Sequence, residues 1–202
     1  HFGLNTLTMA GLGHRGYTIN QISAPPTVWR EILGKENVNP FAFRRASRTW
    51  RNEQALPAAH ISVFGFLRPV FKALRRNEIL CIAVDGGGGN SWTQVEFLGR
   101  RCNVSAGPAS LALRTGAAVI PAVVLRHEDG RHTVVMEPRL DVSRTGDRGE
   151  DERATTQAFM DVLARWVRDH PDHYAGFLRL RMNTASTDTL PFFEDYGSVH
   201  GH

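Results

Sequence analysis

The chain has 202 residues, of which 42% are hydrophobic and 22% are charged, the composition of an ordinary globular protein with room for one domain. Its formal net charge of +4 fits a phosphate-rich partner, whether nucleic acid, anionic lipid or a phosphorylated cofactor, and equally fits a soluble protein without one. Two cysteines are too few for a disulfide framework and favour a reducing compartment, and the chain contains no apolar run of about 18 residues, the length that a membrane-spanning helix needs.

The first part of the chain is predicted to form helices and a strand. Apolar residues at helical spacing predict a helix over 4–13, and an apolar run predicts a strand over 17–22. An amphipathic helix is predicted over 64–76, where Pro69 is expected to introduce a kink. The chain opens on His1 without a methionine, so we expect an N-terminal part, with any targeting or anchoring segment, to be missing.

The centre of the chain carries the densest pattern. Residues 79–84 form a short apolar run that is closed by Asp85 and four glycines, which is typical of a buried strand. Asp85 would then lie at the carboxyl end of that strand, where open α/β sheets bind their ligands. A second strand is predicted over 94–98.

A loop, a helix and another strand are predicted next. The loop contains the pair Arg100–Arg101 and Cys102. Gly107 and the proline after it open a helix over 108–114, because proline is tolerated in the first turn. An apolar, β-branched run predicts a strand over 117–125.

The remainder of the chain is predicted as a hairpin, a loop and two helices: a turn at 128–131 with a returning strand over 132–137, a charged loop over 141–153, and helices over 154–168 and 171–179. Residues 183–202 show little periodicity and are predicted to be a loose tail. Because helices and strands alternate, we predict an α/β fold with a mixed, mostly parallel sheet flanked by helices, in a single domain over residues 1–182.

Three features are candidates for acid–base chemistry or anion binding. His1 precedes a helix, and an unperturbed histidine titrates near neutrality, as a general base requires. Asp85 suits a group that orients a histidine or accepts a substrate proton, and equally suits one that caps its own loop. The run Gly86–Gly89 can bring backbone N–H groups to an anion, but it lacks the spacing of a phosphate-binding loop, so a mobile loop is the better interpretation.

The arginine pair Arg100–Arg101 is the main candidate for binding phosphate. Guanidinium groups beside a helix N-terminus, here the one expected at Gly107, suit a phosphate group, and ordinary surface arginines are an equally good interpretation. The other histidines show no convincing ligand spacing, and the pattern His170-Pro-Asp-His173 is more typical of a helix end than of a metal site. We therefore predict no metal and no resident cofactor.

The ordered set of motifs resembles the bacterial lipid A biosynthesis acyltransferases, the lauroyl/myristoyl branch of the lysophospholipid acyltransferase superfamily. His1-Phe2-Gly3 is similar to the start of that family's H-x4-D/E motif, and Phe66–Asp85 is similar to its helix and strand ending in Asp. The resemblance is strongest over residues 97–122, F-L-G-R-R-C-N-V-S-A-G-P-A-S-L-A-L-R-T-G-A-A-V-I-P-A. Residues 156–166 and 168–171 are similar to its C-terminal helix and R-x-H-P ending.

This resemblance covers residues 1–181 and implies an acyltransferase-like fold and an O-acyltransferase. The enzyme would move a fatty acyl chain from a thioester of acyl carrier protein or coenzyme A, a co-substrate, to a hydroxyl of a glycolipid or lipid A precursor. His1 would be the general base, and Arg100, Arg101 and Gly107 would meet phosphates of the donor or the acceptor. The resemblance also implies a membrane surface as partner, no nucleic acid, and a place on the cytoplasmic face of the bacterial inner membrane.

One position departs from the family pattern. The family acid falls five residues after the histidine, where this chain has Thr6, which cannot serve as a charged partner of His1. Asp85 could supply the carboxylate from another strand, a neutral partner could support slower catalysis, or the chain could be an inactive lipid- or acyl-carrier-binding relative. We favour Asp85. A nucleotide- or phosphate-binding protein that uses Gly86–Gly89 is a further alternative.

Overall fold

A computed structural model describes residues 5–23, 51, 55–56, 58–62, 67–85, 91–142, 144–183 and 191–195. These residues fall into two compact units, one from Asn5 to Ile82 and the other from Ala83 onward. Helices and strands alternate in both, which confirms the α/β prediction. Two compact units are compatible with one domain, so the single domain over 1–182 stays a prediction. Within the described ranges, none of the helices combines the length and the apolar character needed to cross a membrane.

The described residues of the first unit form a small parallel sheet with two helices: α1 (Asn5–His14), β1 (Ile19–Ser23), β2 (Ala58–Ser62), α2 (Arg68–Arg75) and β3 (Ile79–Cys81). The strands lie in the order β2-β1-β3, and both pairings are parallel. The buried side chains of Met9 and Leu12 on α1 pack with Ile19 on β1 and with the half-buried Ala58 and Ile79. Helix α1 therefore covers one face of this sheet.

Two predictions for this unit differ from the structure. Pro69 lies in the first turn of α2, where no intrahelical partner requires its missing N–H, so it starts the helix instead of kinking it. Strand β3 ends at Cys81, before the predicted end at Val84. Asp85 is therefore separated from the strand by a short bent segment, rather than lying directly at its end.

In the part of the second unit that the structure describes there are two hairpins and three helices: β4 (Trp92–Phe97), β5 (Arg100–Ser105), α3 (Gly107–Thr115), β6 (Ala122–Arg126), β7 (His132–Met136), α4 (Arg148–Asp169) and α5 (Asp172–Asn183). Both hairpins are antiparallel. In place of one mostly parallel sheet, the described residues form three small sheets, of which one is parallel. The predicted α3 and α5 are confirmed, with α5 longer than expected. The predicted hairpin also forms, but β6 begins at Ala122 and not at residue 117.

The predicted loop around Arg100–Arg101 and Cys102 is wrong, because these residues form strand β5. The chain reverses at Leu98 and Gly99, whose φ angles are +54° and +79°. Positive φ at both central residues gives the turn a twist that matches antiparallel strands. Asn-Gly or Asp-Gly is the usual sequence signal for such a turn. Leu98 stands at the first position here, so the sequence lacks that signal.

The predicted charged loop over 141–153 is also too long, because α4 begins at Arg148. The carboxylate of Asp147 accepts a hydrogen bond from the Glu150 N–H at 3.1 Å and caps the helix. Within the first turn, the buried carboxylate of Asp151 accepts hydrogen bonds from the N–H and hydroxyl of Thr145 at 2.7 and 2.9 Å. The charged residues thus belong to a capped helix start, not to a loop.

The core of the second unit lies between α4 and the β4–β5 hairpin. It contains Val95, Phe97, Val104, Met160, Leu163, Val167, Tyr174, Phe192 and Phe193, all buried. Phe192 and Phe193 belong to the tail that was predicted to be loose. Their segment pairs with β5: the Asn103 N–H donates to the Phe192 carbonyl at 2.8 Å, and the Glu194 N–H donates to the Arg101 carbonyl at 3.1 Å. Residues 191–195 are therefore an integral part of this core.

Candidate functional site

Asp85 is the predicted catalytic residue that the structure describes, and it is held by a tyrosine. The hydroxyl of Tyr174 on α5 donates a hydrogen bond to Oδ2 of Asp85 at 3.0 Å. Asp85 is half-buried, whereas the Tyr174 side chain is completely buried. A hydrogen bond from a buried, fixed donor orients a carboxylate. Asp85 is therefore a positioned acceptor at the border between the core and solvent.

Tyr174 is fixed by an aromatic cluster, which we define as Phe97, Tyr174, Phe177, Phe192 and Phe193. The ring of Phe97 meets the edge of Tyr174 at 5.8 Å and of Phe192 at 5.9 Å, and stacks on Phe193 at 6.4 Å, between centroids. Phe177 lies 5.3 Å from Tyr174. These are favourable separations for aromatic pairs. The cluster therefore leaves the Tyr174 hydroxyl little freedom to move away from Asp85.

Arg100 lies at the other side of the same cluster. Its guanidinium stacks over the ring of Phe193, 4.1 Å from the centroid, and forms an ion pair with Asp195. The hydrogen bond from Arg100 lowers the pKa of the Asp195 carboxyl below its ordinary value. Any phosphate that bound Arg100 would compete with this carboxylate.

Arg101 forms a looser contact on the surface. Its Nη1 lies 4.0 Å from Oε2 of Glu194, and both side chains are mostly exposed. An exposed pair at this distance contributes little to stability. Both predicted phosphate-binding arginines therefore meet acidic residues of the C-terminal segment, and their phosphate role stays a prediction.

The structure does not bring Gly107 together with the arginine pair. Arg100 opens the six-residue strand β5, whereas Gly107 follows its end and begins α3. At about 3.4 Å per residue, the two ends of the strand lie about 17 Å apart. The Gly107 N–H donates to Oγ of Ser105 at 3.3 Å. A phosphate bound between Arg100 and the start of α3 is therefore not supported by this geometry.

Of the remaining predicted groups, some lie outside the described residues and others are described. His1 and the glycine run lie outside the described residues, as does the side chain of Thr6, so the pairing of His1 with Asp85 stays a prediction. Burial raises the pKa of the Cys102 thiol to about 12, which makes it a protonated core residue. In the part of the chain that the structure describes, no group of three or more His, Cys, Asp or Glu residues has the arrangement of a metal site.

Sequence reasoning missed Tyr174 altogether. It follows the His170-Pro171 ending by three residues, and neither helical periodicity nor motif spacing distinguishes a tyrosine that binds a carboxylate from one that only fills the core. The hydrogen bond joins residues 89 positions apart, and only the packing of α5 brings them together. No local signal was available for this contact.

Comparison with known proteins gives consistent results. Residues 43–181 match the family of bacterial lipid A biosynthesis acyltransferases. Over 140 residues, 67% of this chain, it is 34% identical to a phosphatidylinositol mannoside acyltransferase of Mycolicibacterium smegmatis, and over 108 residues it is 32% identical to one of Mycobacterium tuberculosis, 52% of this chain. These matches cover 43% and 32% of the two relatives, so the chain spans less than half of their length.

Proposed function

Because the chain belongs to the family of bacterial lipid A biosynthesis acyltransferases, we propose that it transfers a fatty acyl chain to a hydroxyl of a glycolipid. The family match over residues 43–181 is the observation that carries this proposal. The acyl donor would be a thioester of acyl carrier protein or coenzyme A. The printed names of the relatives, phosphatidylinositol mannoside acyltransferases, favour a mannosylated phosphoinositide as acceptor, with lipid A precursors and other glycolipids as further candidates.

The proposed reaction needs a base, and His1 is assigned that role. Its imidazole would remove the proton of the acceptor hydroxyl while the hydroxyl oxygen attacks the thioester carbonyl. The carbon–sulfur bond then breaks, and the departing thiolate takes the proton from the imidazolium. Asp85 would orient His1 and stabilise its charged form, since a carboxylate near a histidine favours protonation. The hydrogen bond from Tyr174 supports this role because it holds the carboxylate in one orientation.

A membrane surface is the proposed location of the acceptor, on the cytoplasmic face of the inner membrane. The cations Arg68, Lys72, Arg75 and Arg76 of α2 and its end are all exposed, and their spacing places them on one side of the helix. The opposite side buries Val70 and Ala73. Such a basic helix surface attracts anionic lipid headgroups, by roughly 1 kcal/mol for each Lys or Arg near the surface.

The competing proposal is an inactive relative that binds lipid or acyl carrier protein, and Thr6 at the position of the family acid favours it. The two proposals differ in what Asp85 does. An enzyme requires the carboxylate for transfer, whereas a binding protein requires neither Asp85 nor His1 for affinity. Substitution of these two residues therefore separates catalysis from binding.

The test measures transfer of a labelled acyl group from acyl-coenzyme A and acyl carrier protein to a panel of lipid acceptors, with the His1→Ala and Asp85→Asn variants beside the wild type. Loss of transfer in both variants with unchanged donor affinity supports the enzyme with Asp85 as partner of His1. Loss of transfer in His1→Ala alone supports an enzyme in which Asp85 takes no part in the reaction. Donor binding without transfer by the wild type supports the inactive relative.

A further inference from the structure

Three side chains form a polar row across the parallel sheet of the first unit. In the register of this sheet, Gln21 of β1 pairs with His60 of β2 on one side and with Cys81 of β3 on the other. Paired residues of neighbouring strands lie about 4.8 Å apart and point to the same face. We call His60, Gln21 and Cys81 the polar row. It contains an amide, an imidazole and a thiol side by side.

On the sheet face that α1 covers, the polar row follows a row of apolar residues in the direction of the carboxyl ends of the strands. Two residues earlier, Ile19 pairs with Ala58 and Ile79, and these pack under Met9 and Leu12 of α1. Cys81 packs at the border of this core. The α1 face thus changes from apolar to polar toward the carboxyl ends of the strands, which is where parallel α/β sheets bind ligands.

Gln21 carries the observation that indicates a ligand. Its side chain is only 5% exposed, and its Oε1 has no hydrogen-bond partner among the described residues. A buried acceptor without a donor destabilises the folded state. The neighbouring Asn20, on the opposite face of the same strand, does have its partners: its amide donates to Oε2 of Glu78 at 2.8 Å. An apolar side chain would fill the position of Gln21 without this cost, so the amide oxygen requires an explanation.

The chemistry of the row defines the ligand. The Gln21 oxygen needs a hydrogen-bond donor, which a hydroxyl supplies and an ionised phosphate or carboxylate oxygen does not. Burial raises the pKa of the Cys81 thiol, which keeps the thiol neutral. We propose that the polar row binds an uncharged hydroxyl-bearing group, of the kind that a sugar or polyol presents, with Gln21 Oε1 accepting a hydrogen bond from one hydroxyl. This inference rests on the proposed function, in which the row would bind the sugar headgroup of the acceptor.

The two flanking members of the row are more exposed than its centre. His60 and Cys81 are half-buried, whereas Gln21 between them is buried, so solvent meets the flanks of the row and not its centre. The terminal amide torsion of glutamine has a broad energy profile. Rotation of the Gln21 amide can therefore turn Oε1 toward the side of either neighbour without movement of the strand.

Gln21→Met tests the site, because methionine keeps the unbranched shape and removes the acceptor. Gln94→Met is the matched control, since Gln94 is an exposed glutamine on strand β4 of the second unit. We expect Gln21→Met to raise the thermal midpoint by about 2–6 °C, as the unpaired oxygen is lost. We also expect the KM for phosphatidylinositol mannoside in mixed micelles to rise about 3- to 10-fold, with kcat and the KM for acyl-coenzyme A changed less than twofold.

A second measurement does not depend on turnover. Micelles with phosphatidylinositol mannoside should raise the thermal midpoint of the wild type and of the Gln94→Met variant more than that of Gln21→Met. Micelles with phosphatidylinositol alone should change the thermal midpoints of the three proteins equally. If the wild type transfers no acyl group but this difference is present, the proposed function fails and the hydroxyl site stands. Gln21→Met could instead show the same KM for phosphatidylinositol mannoside as the wild type, and the same rise in thermal midpoint with its micelles. That result would overturn the site and leave Gln21 as the partner of a structural water.

Discussion

The hydroxyl of Tyr174 and the carboxylate of Asp85 are joined by a hydrogen bond of 3.0 Å across 89 residues of chain. Tyr174 belongs to helix α5, and Asp85 follows the last strand of the first sheet. The contact links the C-terminal helix to the one predicted catalytic carboxylate, so the packing of α5 determines how that carboxylate is oriented. A change at α5 should therefore affect activity as well as stability.

Tyr174→Phe should separate these two effects, because it removes the hydroxyl and keeps the ring in the aromatic cluster. Hydrogen bonds to charged groups contribute about 1.5–3 kcal/mol, so we expect a loss of about 1–2 kcal/mol in the free energy of unfolding. If Asp85 acts with His1, kcat/KM should fall about tenfold or more. Urea denaturation and acyl transfer measure the two quantities.

The control for this variant is Tyr17→Phe, because Tyr17 is 55% exposed and its hydroxyl is not in the core. We expect it to change the free energy of unfolding by about 0.5 kcal/mol or less. Full transfer activity in Tyr174→Phe, together with reduced stability, would make the hydrogen bond purely structural and would weaken the assignment of Asp85.

Phe193→Ala should show that the C-terminal segment belongs to the core. Phe193 is buried, stacks on Phe97 and carries the guanidinium of Arg100 on its face. Truncation of a buried phenylalanine costs about 3–5 kcal/mol. Met136→Ala is the control, since Met136 is 45% exposed in the same unit and should cost far less. Equal denaturation midpoints for the two variants would contradict the packing of residues 191–195.

Asp151→Ala should destabilise the start of α4. The buried Asp151 carboxylate accepts hydrogen bonds from the N–H groups of Thr145 and Gly146, at 2.7 and 3.3 Å, and lies in the first helical turn, where a negative charge is favourable. We expect a loss of about 2–3 kcal/mol, measured by urea denaturation. Asp141→Ala, at an exposed position, should have a small effect. A small loss of stability in both variants would show that Asp151 does not hold Thr145 and Gly146 at the start of α4.

The basic surface of α2 should bind anionic vesicles. Replacement of Arg68 and Lys72 by glutamine removes roughly 1 kcal/mol of attraction for each residue, so partitioning onto vesicles with 30% phosphatidylglycerol should fall about 30-fold. Binding of the wild type should also weaken with added salt. The double variant Arg139→Gln, Arg168→Gln, at exposed positions of the second unit, is the control. Equal loss in both double variants would assign the binding to net charge and not to α2.

The sequence predicted the elements whose signals are local. Helix α3 is confirmed because Pro108 and Gly116 mark its two ends, and Gly116 adopts a φ of +72°, which glycine tolerates. The helix α1 and the β6–β7 hairpin are confirmed for the same reason: periodicity and turn residues lie within one short window. The family resemblance, which rests on local motifs, is likewise confirmed by the match over residues 43–181.

The errors come from contacts between distant residues or from unusual turns. Leu98 occupies a turn position at which asparagine or aspartate is the usual signal, so the sequence predicts a loop where strand β5 forms. The tail is predicted to be loose because the sequence from residue 183 shows little periodicity, but Phe192 and Phe193 pack in the aromatic cluster. Gln21, His60 and Cys81 meet only through strand pairing, so no sequence spacing predicts the polar row.

Glu137 should make the stability of the second unit depend on pH. Its carboxylate accepts hydrogen bonds from Nη2 of Arg165 at 2.8 Å and from the Trp166 indole at 2.6 Å, and these lower its pKa below the ordinary value of 4.5. A lowered pKa in the folded state means that the stabilisation is complete above pH 4.5 and is lost as the pH falls through the lower folded value.

The Glu137→Gln variant should therefore be less stable than the wild type at pH 6–7, and the difference in free energy of unfolding should shrink below about pH 4.5. Glu128→Gln, at an exposed position of the β6–β7 turn, should show a small difference that is constant with pH. Trp166→Phe removes one of the two donors and should give a weaker pH dependence than the wild type, with the Arg165 contact retained. A difference for Glu137→Gln that does not change between pH 3 and pH 7 would show that Glu137 is equally ionised in the folded and unfolded chains.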